Sequence, residues 1–477
     1  MPTEMNSRTT RRDFLVTAAA LTVPVAAGLS DAQAEAAPRK RNIIFILIDD
    51  QRYDAMSCMG HPFLETPNLD RLVRGGAHFK NAFVTTSLCS PSRATILTGQ
   101  YAHRHGVMNN STVLPEDTVT FPTLLKKAGY ETAFVGKWHM GHADDAPQPG
   151  FDRWVSFRGQ GVYYNPRFNV DGERVQEEGY VTDLITDYAV EFLERRRKKP
   201  FFLYVSHKAV HADFKPAERH NDKYSDVALT PPTSMADTEE NYRGKPAWVR
   251  AARDSVVGVD GMYWGRMPYD RFIRDYNRTI LGIDENVGRL LHTLEKLGTL
   301  DSTLIIFTSD NGFLQGEHGL IDKRNMYEES IRVPMIVHCP DIVPQRLELE
   351  HIVLNTDIAP TILDAAGASV PDTMRGVSLL PLARGRTVPW RESFLYEYFW
   401  EEAFPQNPTV FGVRTGRWKY LWYHGVNDKN ELYDLEKDPH EMTNLIDHPD
   451  ARPVRKEMTA ALKRLMNEAG VNRVPSW

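Results

Sequence analysis

Cysteine is scarce in this chain: Cys58, Cys89 and Cys339 are the only three in 477 residues. So small an odd number excludes a disulfide framework, and leaves at least one thiol that is either inert and buried or present for its chemistry. Long apolar runs are missing as well. None approaches the ~20 residues a membrane-spanning helix requires. Positive charge is not in excess, with 57 Lys and Arg against 63 Asp and Glu for a formal net charge of -6. That excludes a basic field for nucleic acid. Internal repeats and low-complexity tracts are also absent. What remains is an ordinary globular composition, 42% hydrophobic and 25% charged, at a length that suggests two or three domains.

The first 34 residues read as an address rather than as fold. Thr10-Arg11-Arg12-Asp13-Phe14-Leu15 precedes an apolar run from Val16 to Gly28 and then Ala32-Gln33-Ala34. Paired arginines, a short apolar core and an A-x-A end describe a bacterial twin-arginine (Tat) signal over residues 1–34. The Tat export machinery is therefore an expected partner, and the mature chain is expected in the periplasm or secreted, without spanning the membrane. Export in the folded state would let a cysteine be modified in the cytoplasm first.

Four short apolar runs organise the rest. Asn42 to Ile48, Thr132 to Val135, Phe201 to Val205 and Thr303 to Phe307 read as buried strands, and each ends in polar, chemically capable residues. These endings are Asp49-Asp50, Gly136-Lys137-Trp138-His139, Ser206-His207 with His211 beyond, and Thr308-Ser309-Asp310-Asn311-Gly312. An open α/β sheet, with its site beyond the carboxyl ends of the strands, has this layout. Thr182 to Arg197 and Tyr276 to Leu297 are amphipathic and read as helices. The polar stretch from Asn221 to Arg271 reads as an irregular insertion on the substrate side. Residues 40–383 are expected to form the catalytic domain. After Arg384, short aromatic runs at Glu392–Tyr398 and Trp418–Tyr423 point to a smaller C-terminal subdomain over residues 384–477.

The most informative segment is Leu88-Cys89-Ser90-Pro91-Ser92-Arg93-Ala94-Thr95-Ile96-Leu97-Thr98-Gly99. Its C-x-P-x-R core followed by T-G resembles the signature of the formylglycine-dependent sulfatases. The resemblance implies that a separate formylglycine-generating enzyme oxidises Cys89 to 3-oxoalanine, whose hydrate attacks sulfur with one hydroxyl and expels sulfate with the other. A hydroxyl ionised beside a metal is a usable nucleophile, as metal-bound water is. Arg93, one helical turn beyond Cys89, is placed to hold the nucleophile or the metal site.

Asp49, Asp50, Asp310 and Asn311 are hard oxygen donors that suit calcium or magnesium rather than zinc. The resemblance implies that these four and the oxidised Cys89 hold one divalent ion, usually calcium. It gives Lys137 and Lys323 sulfate contacts, His139 the proton of the second diol hydroxyl, and His211 the leaving group, with His207 as a competing choice. It also implies an alkaline-phosphatase-like α/β sandwich: a large central mixed sheet flanked by helices, plus a small C-terminal antiparallel sheet. The surroundings of His103–Asn110 and Glu317–Ser330 look most like the N-acetylglucosamine-6-sulfatases, which act on glycosaminoglycan or mucin-type glycans. On that reading His105 and His318 line the sulfate pocket, Asn110 faces the sugar, and the partner is a sulfated carbohydrate. The alternatives are an arylsulfatase, a phosphonate or phosphodiester hydrolase built on the same metal and aldehyde, and a non-catalytic glycan-binding relative with an unmodified Cys89. The mass of the Cys89 peptide in protein from its native host separates the last from the rest. It is expected to carry the aldehyde, and an intact thiol there leaves only a binding role.

Overall fold

Every residue of Ile43–Ile48 is buried, because this strand lies at the centre of a sheet covered on both faces. The structure is a computed structural model that describes residues 40–471; the expected signal over residues 1–34 lies outside them. The strands in chain order are β1 Ile43–Ile48, β2 Ala77–Phe83, β3 Glu131–Lys137, β4 Arg153–Phe157, β5 Arg167–Val170, β6 Glu173–Gln176, β7 Phe201–Ser206, β8 Leu304–Ser309, β9 Leu314–Gln315, β10 Ile321–Asp322, β11 Met335–His338 and β12 Leu347–Leu354. Four more follow: β13 Ser393–Tyr398, β14 Thr409–Thr415, β15 Trp418–His424 and β16 Glu431–Asp434. Ten of them make one sheet in the order β12-β2-β11-β8-β1-β7-β3-β4-β5-β6. The run β8-β1-β7-β3-β4 is parallel. β11 opposes both of its neighbours, and β5 and β6 turn back antiparallel at the far edge. The mixed central sheet expected from the sequence is present.

Alternation along β1 assigns the two faces. Ile43, Phe45 and Leu47 join one core with Ala94, Ile96 and Leu97 of helix Cys89–Thr98 and with Ile358 and Ile362 of helix Ile358–Ala365. Ile44, Ile46 and Ile48 join the other with Ile185 and Phe192 of Val181–Glu194 and with Ile280, Ile283 and Leu290 of Tyr269–Lys296. That last helix starts seven residues before the expected Tyr276, because Phe272 and Ile273 continue its buried stripe. The antiparallel sheet β13-β14-β15-β16 has its own core, in which Leu395, Phe411, Val413 and Leu432 meet Met458 and Leu462 of helix Arg452–Ala469. No helix among the described residues is long and apolar enough to cross a membrane.

Register brings the chemistry to one edge. Leu47 pairs with Ser206 on one side and Thr308 on the other, and Ser206 pairs in turn with Gly136. The strands carrying Asp49, His207, Asp310 and Lys137 therefore finish level. Gly136 makes the fit of β3 against β7 tight: its φ is 124°, and a Cβ there would stand 1.8 Å from the Ser206 carbonyl oxygen. Gly136→Ala is expected to destabilise the fold by about 2–4 kcal/mol, read as a lower urea midpoint. An unchanged midpoint would show that the two strands do not approach so closely.

Candidate active site

Three carboxylates converge beyond β1 and β8. Ligand oxygens of Asp49, Asp50 and Asp310 lie within 4.8 Å of one another, all buried. Asp50 takes a left-handed φ of 62° as the chain leaves the strand, a conformation that aspartate tolerates better than most residues. Its backbone N–H donates to Asp310 Oδ1 at 3.1 Å. Cations answer each acid. Lys137 at the end of β3 pairs with Asp49, and Lys323 Nζ stands 2.6 Å from both oxygens of Asp50. Arg93 holds Asp310 Oδ2 through Nε at 2.9 Å and Nη2 at 2.8 Å, with Asp49 at 3.7 Å. Its Nη1 donates to the Lys137 carbonyl and to Ser206 Oγ, both at 2.8 Å. Burial works against an ionised Asp49, yet Lys137, His211 and Arg93 hold it well below the usual carboxylate range. Asp50 is pushed up to about 7, by burial first and then by Asp49 and Asp310, against the pull of Lys323.

Cys89 opens helix Cys89–Thr98 and is fully buried, with Sγ 3.6 Å from Asp49 Oδ1. Burial pushes its thiol up to about 12 although Lys323 and Lys137 oppose this. An unmodified sulfur there is protonated at neutral pH and a weak nucleophile. Asn110 Oδ1 accepts from the Ser90 backbone N–H at 3.0 Å, supplying one of the partners that the first turn of a helix lacks. The antiparallel sheet backs the approach to Cys89: Tyr396 Oη and Ser87 Oγ are 2.6 Å apart, and the Glu397 N–H donates to the Thr85 carbonyl at 2.9 Å.

The histidines divide. His211 groups with Asp49 and Cys89 within 4.8 Å, its Nε2 3.8 Å from Asp50 Oδ2, and its Nδ1 is 2.8 Å from the Ala212 carbonyl oxygen. His207 is wholly buried and joins no such group. His139 is buried with no partner on either ring nitrogen; burial, Lys137 and Arg93 hold it neutral. His105 is engaged elsewhere, with Nε2 3.1 Å from Thr95 Oγ1 and Nδ1 accepting from the Val107 N–H. His318 belongs to a separate buried group with Glu329 and Glu441, its ring 4.1 Å from that of Tyr327. The structure thus gathers Asp49, Asp50, Cys89, Arg93, Lys137, His139, His211, Asp310, Asn311 and Lys323 around one point, and places Asn110 at the Ser90 N–H, His105 against Thr95 and Val107, and His318 against Tyr327.

Two further groups belong with this cluster. Gln160 Oε1 accepts from Lys137 Nζ at 2.5 Å. Lys208 is buried 4.5 Å above the Tyr163 ring and pushed down to about 8 by burial and by Lys137. Lys208 is adjacent to a strand end, which is the signal that marks the others; Gln160 lies in a loop and carries none.

The Sulfatase family profile matches residues 41–368, and the profile described as N-sulphoglucosamine sulphohydrolase, C-terminal, matches residues 316–468. The chain belongs to the sulfatase family. It is a sulfuric ester hydrolase, and its relatives include an N-acetylglucosamine-6-O-sulfatase of Bacteroides thetaiotaomicron, 36% identical over 490 residues that cover 90% of this chain and 87% of the relative. The human N-acetylglucosamine-6-sulfatase is 31% identical over 86% of this chain and 82% of its own length. A solved structure in complex with its substrate D-glucosamine-2-N,6-O-disulfate superposes on the sulfatase with a TM-score of 0.84 at 35% identity, covering 91% of this chain and 99% of that one. The phosphonate monoester hydrolase of Agrobacterium radiobacter shares the fold at TM-score 0.77 and 23% identity, over 90% and 96% of the two chains.

Burial lowers both His105 and His207 to about 3. The unfolded chain takes up protons at these rings below about 6.5 while the folded sulfatase does not. Their contribution to stability is therefore complete above that pH and lost as the pH falls toward 3, by up to ~1.4 kcal/mol per pH unit for each ring. Urea melts between pH 7 and 4 are expected to show a shallower pH slope for a His105→Gln/His207→Gln variant than for the parent. Equal slopes reject the assignment.

Proposed function

We propose that this sulfatase hydrolyses the 6-O-sulfate ester of N-acetylglucosamine in glycosaminoglycan or mucin-type glycans. In this reading Cys89, oxidised to formylglycine, supplies the nucleophile, and Asp49, Asp50, Asp310 and Asn311 hold a divalent ion, calcium or magnesium. The observation that carries it is the meeting of Cys89 with three carboxylates and three buried cations at the strand ends. The donors fit a hard ion: all are oxygens, and Asn311 Oδ1 is buried without a protein partner while its Nδ2 is spent on Asp50. Such an ion supplies positive charge at the sulfate oxygens and at the hydroxyl of residue 89. The hydrated aldehyde supplies one hydroxyl to attack sulfur and a second through which sulfate departs.

The chain's own groups do the rest. Arg93 fixes Asp310 and Asp49. Lys137 and Lys323, both buried, balance the charge of the transferring group where screening is weak. His139, neutral and with both nitrogens free, is suited to accept a proton beside residue 89. The Nδ1–H of His211 donates to the Ala212 carbonyl, which leaves Nε2 to carry a proton to the departing sugar oxygen. Burial holds His211 well below its ordinary value, and the charge of a sulfate ester beside it pulls the other way. Maturation by a formylglycine-generating enzyme before Tat export, and action in the periplasm or outside the cell, complete the reading.

Sulfate release from a panel of sulfated monosaccharides tests it. Turnover of 6-sulfated N-acetylglucosamine is expected to exceed that of the others, and flat activity across the panel removes this substrate. Within the same assay, His211→Ala is expected to lower kcat by about 100-fold or more on the sugar, whose alkoxide must be protonated. The loss on 4-nitrophenyl sulfate, which leaves without a proton, is expected to be much smaller; equal losses deny His211 the role of acid.

A further inference from the structure

The insertion between β7 and helix Tyr269–Lys296 contains the most exposed large side chain among the described apolar residues. Trp264 is 73% exposed, whereas every other large apolar residue with comparable exposure is a valine or leucine. Its backbone is strained: Tyr263 and Trp264 take consecutive left-handed φ values of 45° and 65°. Bulky residues avoid that region, and it persists only where the surroundings hold it.

The surroundings do hold it. The Tyr263 N–H donates to the Val256 carbonyl at 3.2 Å. The loop is pinned to the segment that leads into Lys323, with the Val259 N–H donating to the Gly319 carbonyl at 3.0 Å and the Ile321 N–H to the Val257 carbonyl at 2.8 Å. Gly258 and Leu320 form a β-bridge, and Arg253 Nε closes the base on Asp260 Oδ2 at 2.6 Å. Below the loop, the Tyr263 ring packs edge-on against Phe214 at 5.9 Å, three residues past His211. Phe214 packs on Phe313 at 5.8 Å, and Lys323 Nζ lies 5.8 Å from the Phe313 ring centre. Tyr263 therefore stands on the His211 and Lys323 side of the cluster, which the proposed function makes the leaving-group side, and Trp264 follows it directly in the chain with its side chain exposed.

We propose that Tyr263 and Trp264 form the outer wall of the sugar-binding site, with the Trp264 indole as the stacking face for a pyranose ring of the 6-sulfated glycan. A pyranose has an apolar C–H face and a hydroxyl rim. An indole fixed at the surface covers the first and leaves the second in water. The wall rests on the reading of His211 and Lys323 as the leaving-group side, and it adds the residues that recognise the sugar itself.

The test measures binding without turnover. In the Cys89→Ser protein, calorimetric titration with 6-sulfated N-acetylglucosamine gives a Kd with Trp264 intact, with Trp264→Ala and with Trp264→Phe. The alanine variant is expected to bind about three- to tenfold more weakly, and the phenylalanine variant to recover most of that loss. An unchanged Kd in Trp264→Ala overturns the wall, as does equal weakening by alanine and phenylalanine, or no binding by the Trp264 protein. Sulfate release by the Cys89 enzyme is read separately. A preference there for another sulfated sugar defeats the substrate reading, whereas an unchanged Kd beside retained 6-sulfate turnover defeats only the wall.

Discussion

Three carboxylates buried together are the constraint around which this molecule is arranged. Removing one ionised carboxylate from water costs several kcal/mol on the order of magnitude seen in real proteins, and neighbours of like charge add to it. Asp49, Asp50 and Asp310 are tolerable only because Arg93, Lys137 and Lys323 meet them at contact distance. Those cations come from a helix, a third strand and a loop far along the chain. Each must arrive with little freedom, which explains why the surrounding backbone is so tightly specified. The level ends of β1, β3, β7 and β8 deliver the acids and Lys137, and Arg93 ties that edge together by bonding an acid, a carbonyl and a serine from three strands.

The same constraint gives the C-terminal sheet its work. Cys89 has to enter the cluster from above at the first residue of a helix, so the loop before it needs a wall. Tyr396 supports Ser87, and Ser330 Oγ reaches the same hydroxyl at 3.0 Å. Arg324, beside Lys323, is held by Glu401 at 3.0 Å and lies 3.6 Å from the Phe404 ring. Residues far past the central strands thus fix both the loop before Cys89 and the segment that carries Lys323.

Much of the clustered set was legible because its information is local. An apolar, β-branched run such as NIIFILI followed at once by Asp-Asp declares both a buried strand and what stands at its end. The same holds for Lys137 and for Asp310-Asn311, and Cys89 with Arg93 lie within one helical turn. What could not be read depends on pairing across the chain. β2 reads AHFKNAF and β12 LELEHIVL, and their polar residues hide strands toward one edge of the sheet, where part of each strand meets solvent. Asn110 reads as a sugar contact because its motif resembles one, yet only the fold brings it back to the Ser90 N–H. The surroundings of His105 and His318 are hidden for the same reason: a histidine's spacing says nothing about which neighbours will stand around its ring.

The insertion from residue 221 to 271 shows how reaction and recognition can be separated in such a frame. Its weak periodicity fits the short turns and single-turn helices found up to Pro268, while its last three residues already belong to helix Tyr269–Lys296. It is anchored instead by backbone hydrogen bonds to Gly319 and Ile321, in the segment that leads into Lys323. A loop anchored in this way can vary its outward side chains without shifting the cations beneath it. On the proposed reading, the charge cluster fixes what bond is broken, and the aromatic residues of the insertion determine which sugar carries that bond into reach.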